Sequence, residues 1–230
     1  MELSNYTYLG LILFTFLCPF VLSFDKKVAF WKNWIYLFPA ILITAVPFIL
    51  WDIKFTEAGI WSFNHDYTLG IDYKGLPIEE WLFFLAIPYA CLFIYEVLKA
   101  YFPTFGKANV FVAISLVLIV GFGLLAFFNR EKTYTFLNFL FAGVFLAYII
   151  FRNQFKPHIS HFFLAYLVSL IPFLLINGIL TYLPVVEYNT SHNLNLFMVS
   201  IPVEDFGYLF LLLLMNIGIY ENLKGRFIFK

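Results

Sequence analysis

The chain has 230 residues, 63% of them hydrophobic and only 12% charged, with fourteen cations balancing fourteen acids. That composition excludes an ordinary soluble domain, and a net charge of zero offers nothing to nucleic acid. Apolar runs of about 20 residues are what a bilayer demands, so membrane lipid is the first partner expected.

Those runs fall at residues 6–24, 34–51, 78–98, 108–128, 133–151, 162–183 and 203–220. They predict seven transmembrane helices, because only helices satisfy their own backbone in lipid without closing a barrel. Met1-Glu2-Leu3-Ser4 has no positive leader region, so the first run is expected to be a retained span. With the N-terminus outside, Lys26, Lys27, Lys32, Lys99, Lys107, Arg152, Lys156, Lys224, Arg226 and Lys230 fall on the cytoplasmic side, ten of the fourteen cations. That bias predicts an N-out, C-in arrangement. Cys18 and Cys91 lie inside apolar runs, and their number and spacing suggest neither a disulfide framework nor a metal site.

A second signal is internal. Leu76-Pro77-Ile78-Glu79-Glu80 opens the third run, and Ile201-Pro202-Val203-Glu204-Asp205, 125 positions on, opens the seventh. The offset extends without a gap from Pro47-Phe48 and Pro172-Phe173, through Asn64 and Asn189, to Ile94-Tyr95-Glu96 and Ile219-Tyr220-Glu221. A fixed-period match marks a duplication. The shift spans four helices, an even number, so the two copies share one orientation about an axis along the membrane normal. The predicted fold is therefore an all-α integral membrane protein built as 3+1+3. The first repeat covers residues 1–105, a linker helix 106–131 and the second repeat 132–230.

Proline followed by acid suits the start of a helix, where a carboxylate meets the positive end of the dipole. Helix initiation alone leaves unexplained why both copies carry a second acid, Glu80 or Asp205, against an apolar helix body. Acids at membrane depth face the bundle interior, so Glu79, Glu80, Glu204 and Asp205 are the candidate catalytic groups. Neighbouring helical residues point about 100° apart. One acid of each pair can thus face a shared cavity, and Glu79 and Glu204, alike in type and place, are the first choice for it. Asp52 and Asn177 correspond across the repeats and are expected to hydrogen-bond the carboxyls. Each repeat also has a long loop before its third helix, one with Asn64 and His65, the other with Asn189 and His192. Loops of that length are usually functional, and these are expected to be ordered, partly re-entrant and packed on the helix mouths. Pro77 and Pro202 set the helix starts.

These residues resemble the lycopene cyclase domain family of carotenoid biosynthesis. The likeness rests on Pro77-Ile78-Glu79-Glu80 and Pro202-Val203-Glu204-Asp205. Trp51-Asp52, Gly59-Ile60-Trp61-Ser62-Phe63-Asn64 and Leu69-Gly70 add to it. It is similar to the form in which both cyclase domains lie in one chain, although the second loop lacks the Trp-Asp pair and the Trp-Ser-Phe run. The resemblance implies a bacterial inner-membrane enzyme that closes the linear ends of lycopene and related carotenoids to β-rings, through γ-carotene to β-carotene. It also allows contact with other enzymes of that pathway. Ring closure adds one proton and removes another, so no cofactor is called for, and no Gly-x-Gly-x-x-Gly flavin fingerprint occurs. Such a site needs an acid, a base, aromatic faces for the passing cation and exclusion of water.

Rival readings are weaker. Small sugar transporters of the SWEET type share the 3+1+3 plan, but no Pro-Gln dipeptide occurs and mid-membrane polar residues are few. A retinal protein needs a lysine inside the last apolar run, and 203–220 has none. A purely structural membrane protein leaves the repeated acids unexplained.

Overall fold

In the computed structural model, residues 3–228 are described, with side chains to residue 225. Met1, Glu2, Lys230 and the Arg226 side chain lie outside the described residues. Seven helices are long and apolar enough to cross a membrane. They are α1 (Thr7–Leu22), α2 (Trp34–Glu57), α3 (Ile78–Tyr101), α4 (Ala108–Phe128), α5 (Thr133–Phe151), α6 (Ile159–Tyr182) and α7 (Val203–Ile228). The all-α membrane class expected from hydropathy is the class observed. Several helices overrun their apolar stretch: α2 continues past Trp51 through exposed Lys54 and Glu57, whose ion pair at 2.7 Å forms on its last turn. Charge ends a hydropathy run, but backbone hydrogen bonding continues wherever water or a partner receives the side chains.

Helices α3 and α7 form the centre. The first is packed by α1, α2 and α6, the second by α5, α2 and α6, and the two touch each other. Helix α4 lies outside against α5 and α6, with only Ser115 and Ala126 buried among its 21 residues. Small residues bring helices close where lipid supplies no hydrophobic drive between them. A Cβ on Gly143 of α5 would lie 3.3 Å from Phe122 Cβ of α4, and one on Gly207 of α7 would lie 2.8 Å from Asn138 Nδ2.

The two long loops are ordered by short strands. In the first loop these are β1 (Trp61–Phe63), β2 (Asp72–Tyr73) and β3 (Leu76–Pro77); in the second, β4 (Val186–Tyr188), β5 (Phe197–Met198) and β6 (Ile201–Pro202). Strands β2 and β3 form a hairpin, as do β5 and β6, while β1 pairs antiparallel with β4 across the repeats. That last register is Trp61↔Tyr188, Ser62↔Glu187 and Phe63↔Val186. Ser62 and Glu187 are 125 apart (187 − 62), so a pseudo-twofold axis passes through their pair. The flanking bonds obey it: Asn64 N–H donates to the Val185 carbonyl at 3.0 Å, and Asn189 N–H to the Ile60 carbonyl at 2.9 Å.

The same axis is pinned at the far end of the bundle by an exchange of partners. Lys99 of α3 meets Glu221 of α7 at 2.5 Å, and Lys224 of α7 meets Glu96 of α3 at 3.1 Å. Tyr95 O–H also donates to Glu221, at 2.8 Å. Burial holds the nearby His158 imidazole below its usual value despite Glu221 beside it, so at neutral pH Lys99 is the cation that balances this acid. Removing it strands a carboxylate of which 7% is exposed. Lys99→Met is therefore expected to cost about 1–3 kcal/mol, read as a lower thermal unfolding midpoint in detergent. Adding Glu221→Gln should recover part of the loss, and no difference between the three proteins would show the cluster to be solvated.

Candidate active site

All four motif acids are buried, Glu79 and Glu204 at 0% exposure and Glu80 and Asp205 at 6%. Their roles divide in the same way in both repeats, and opposite to the expectation from the sequence. Glu79 and Glu204 do not face the cavity. The Leu69 N–H donates to Glu79 Oε1 at 2.7 Å, and the Leu194 N–H to Glu204 Oε1 at 2.7 Å, so each acid fastens the loop ahead of its own helix. Thr135 O–H adds a bond to Glu204 at 2.5 Å, and Asn138 Nδ2 reaches the Glu204 carbonyl at 2.5 Å. The physical reason is phase: the second acid, about 100° further round the helix, is the one that lines the cavity.

Glu80 and Asp205 line one apolar cavity of about 310 Å³ between the repeats. Its wall runs along α3 from Glu80 to Ile94, fourteen residues or about 21 Å, and includes Phe83, Ile87, Trp61, Phe63, Phe173, Leu209 and Leu212. Around the acids the symmetry fails. The Glu80 carboxyl receives a hydrogen bond from Tyr8 O–H and has the carboxyl of Asp52 for a neighbour. Asp52 in turn accepts from Tyr208 O–H at 2.8 Å. Asp205 has no second carboxyl. It accepts from Tyr134 O–H at 2.7 Å, Tyr188 O–H at 2.8 Å and Asn177 Nδ2 at 2.8 Å. Burial first, and then Asp205, push the Tyr188 hydroxyl well above the ordinary phenol value, so it remains a donor.

This arrangement can do acid–base chemistry without water. Two neighbouring carboxyls in an apolar site form a pair able to carry a proton, because like charges there cannot comfortably both ionise. Asp205 meets three neutral donors and no second carboxyl, an arrangement able to accept a proton. Carboxyls in two different settings thus share one hydrocarbon-lined chamber walled with aromatic rings.

The expectation that Asp52 and Asn177 contact the carboxyls agrees with this geometry. Four other candidates are not brought to the cavity. Asn64 accepts from the Asp66 N–H at 2.9 Å and Asn189 from the Ser191 N–H at 3.1 Å, both turning their loops, and Asn189 Nδ2 also ties to the Gly59 carbonyl at 3.1 Å. His65 stands exposed beside Asp72 at 3.5 Å. His192 is a loop residue whose carbonyl accepts the Tyr134 N–H at 2.9 Å. Pro77 and Pro202 each end a short strand immediately before the helix, one position earlier than the usual helical proline. The tyrosines at 8, 134, 188 and 208 are the partners that sequence reasoning missed. For Tyr8 and Tyr134 the available signal was a phenol within one turn of an apolar run's end. Tyr8 and Tyr134 hold corresponding acids but stand 126 apart (134 − 8), so the repeat slips by one residue on this helix pair.

The fold and site define a membrane-embedded protein with a carboxyl-bearing hydrocarbon chamber at the joint of two parallel repeats. A family model described as lycopene cyclase matches residues 5–98 and 131–223, most of the chain and both repeats. The chain belongs to the lycopene cyclase family. Searches among curated proteins and among solved structures gave no match.

Substitutions separate the two kinds of acid. Glu80→Gln and Asp205→Asn are expected to lower carotenoid turnover at least a hundredfold with normal protein in the membrane, because each removes a proton donor or acceptor. Glu79→Gln and Glu204→Gln retain an amide oxygen for the loop N–H, so turnover should stay within about fivefold, with a lower melting point as the main effect. Turnover lost at Glu79 and Glu204 but kept at Glu80 and Asp205 would reverse the assignment.

Proposed function

We propose that this chain is an acid-catalysed lycopene β-cyclase, an isomerase that closes linear end groups to β-rings without net redox change. The observation that carries the reading is that Glu80, with Asp52 beside it, and an Asp205 held by three neutral donors line one apolar chamber. Glu80 delivers its proton to the terminal double bond of the end group, leaving a tertiary cation. The next suitably placed double bond attacks that cation, forming the six-membered ring and moving the charge into it. Asp205 removes the neighbouring ring proton, which completes the β-ring. One proton enters and one leaves, so substrate and product have the same formula. After product leaves, Asp205 gives up its proton and the Glu80–Asp52 couple regains one, both by exchange with solvent. Trp61, Phe63, Phe83 and Phe173 present ring faces and edges to the end group, which steadies the cation and keeps out the water that would trap it as an alcohol.

A chamber of about 310 Å³ is at the small end of ligand sites and admits one end of a long polyene at a time. Two rings then require two visits, with γ-carotene as the one-ring intermediate. The reading places the protein in the bacterial inner membrane, N-terminus outside, drawing on and returning to a carotenoid pool shared with the other pathway enzymes. The division into residues 1–105, 106–131 and 132–230 belongs to the same proposal, since each half supplies one acid.

Lycopene-producing cells that express the chain should accumulate cyclised products of unchanged mass, chiefly β-carotene. Unchanged lycopene with the protein present in the membrane would refute the assignment, and a hydrated product would make it a hydratase. Cutting the chain between Phe105 and Gly106 should leave each half inactive and co-expression active; a half that cyclises alone would refute a site shared between repeats.

A further inference from the structure

The chamber must communicate with lipid, and the residues that line it while remaining exposed show where. Phe14 is 64% exposed and Leu175 55%, and Cys18 and Pro172 are exposed as well. All four belong to α1 or α6. From α2 and α5 the wall takes only Asp52 and Tyr134, both buried. The chamber therefore opens sideways on one seam, between α1 and α6.

The pseudo-twofold axis generates a second seam, between α5 and α2, and there the equivalent residues differ. On α1, Thr15 lines the open seam; at the offset of 126 set by Tyr8 and Tyr134, its counterpart on α5 is Phe141. On α6, Ile176 lines the open seam, and its counterpart at the offset of 125 is Trp51 of α2. Trp51 and Phe141 meet edge to face with ring centroids 5.3 Å apart, and Trp51 also packs on Tyr208 at 5.5 Å. A small or aliphatic pair on one seam is thus replaced by two interlocked aromatics on the other.

We propose that the carotenoid end group enters and leaves through a single lateral portal between α1 and α6, and that Trp51 and Phe141 seal the twin seam that duplication created. The proposal rests on the cyclase reading for the identity of the ligand. It makes the enzyme one-handed: a molecule whose first end has been closed withdraws into lipid and presents its second end at the same door.

The test uses membranes carrying the full-length protein with lycopene dissolved in them. Thr15→Phe narrows the passage, and Leu175→Trp enlarges a lipid-facing lip without touching the packed interior, so at least the second folds normally. Both are expected to slow β-ring formation at least tenfold. In a Glu80→Gln background, which holds substrate without converting it, both should lower the lycopene that co-purifies with the protein by a similar factor. Phe141→Ala, on the sealed seam, should leave the rate within about twofold. If Thr15→Phe and Leu175→Trp match the parent while Glu80→Gln remains inactive, the portal is overturned and the cyclase reading survives. A tenfold loss in Phe141→Ala alone, with normal protein in the membrane, overturns the claim that this seam is a passive seal. A parent chain that leaves lycopene unchanged overturns the cyclase reading and takes the portal with it.

Discussion

Carboxyl groups at hydrocarbon depth are tolerated only when the protein supplies what water would have supplied. Seven are buried among the described residues, at positions 52, 79, 80, 96, 204, 205 and 221, and much of the architecture is the supply of their partners. At the loop end, backbone N–H groups of Leu69 and Leu194 meet Glu79 and Glu204, which is why two long loops are ordered against the helix mouths. At the far end, lysines cross the pseudo-twofold axis to meet the opposite helix, so neither repeat satisfies its own Glu96 or Glu221 fully. Glu80 and Asp205 are the exceptions: they are satisfied by phenols, an amide and another carboxyl, groups that leave protons movable.

Duplication explains the frame, and its imperfections explain the chemistry. The Ser62–Glu187 register, the paired Asn64 and Asn189 bonds and the exchanged lysines all obey one axis. A strictly symmetric chamber would place two identical acids opposite one another, with no reason for either to give a proton and the other to take it. Asp52 against Asn177 breaks that degeneracy. So does Tyr208 where the first repeat has Phe83, and Tyr188 where it has Phe63. Trp51 and Phe141 break it again at the lipid boundary, leaving one open seam.

Much of this was legible in the residues alone. Seven spans, parallel repeats, the motif acids and the Asp52–Asn177 correspondence follow from hydropathy and a fixed offset, because these signals survive without tertiary context. The helix ends at Glu57 and beyond Tyr220 were not, since hydropathy stops at the first charge while hydrogen bonding does not. Which acid of each pair faces inward was also hidden. It depends on a rotation of about 100° set by packing against α1 and α5, and that favoured Glu80 and Asp205 over Glu79 and Glu204. The tyrosine partners were masked by a one-residue slip on α1 and α5 and by the abundance of aromatics, 23% of the chain. Asn64, Asn189, His65 and His192 drew notice as polar residues in long loops, and the structure uses the asparagines to turn the chain.

The central claim is that a carboxyl of the protein gives a proton to carbon and another takes one away within a single apolar chamber. Running the reaction in deuterium oxide tests it directly, because the carboxyl protons exchange with solvent between visits while hydrogens on lycopene carbon do not. Mass analysis of the pigments should show one deuterium in γ-carotene and two in β-carotene, one for each ring, and none in unreacted lycopene. Rings formed without deuterium would contradict protonation by an exchangeable group, and deuterium in unreacted lycopene would contradict a chamber in which each proton transfer is committed to ring closure.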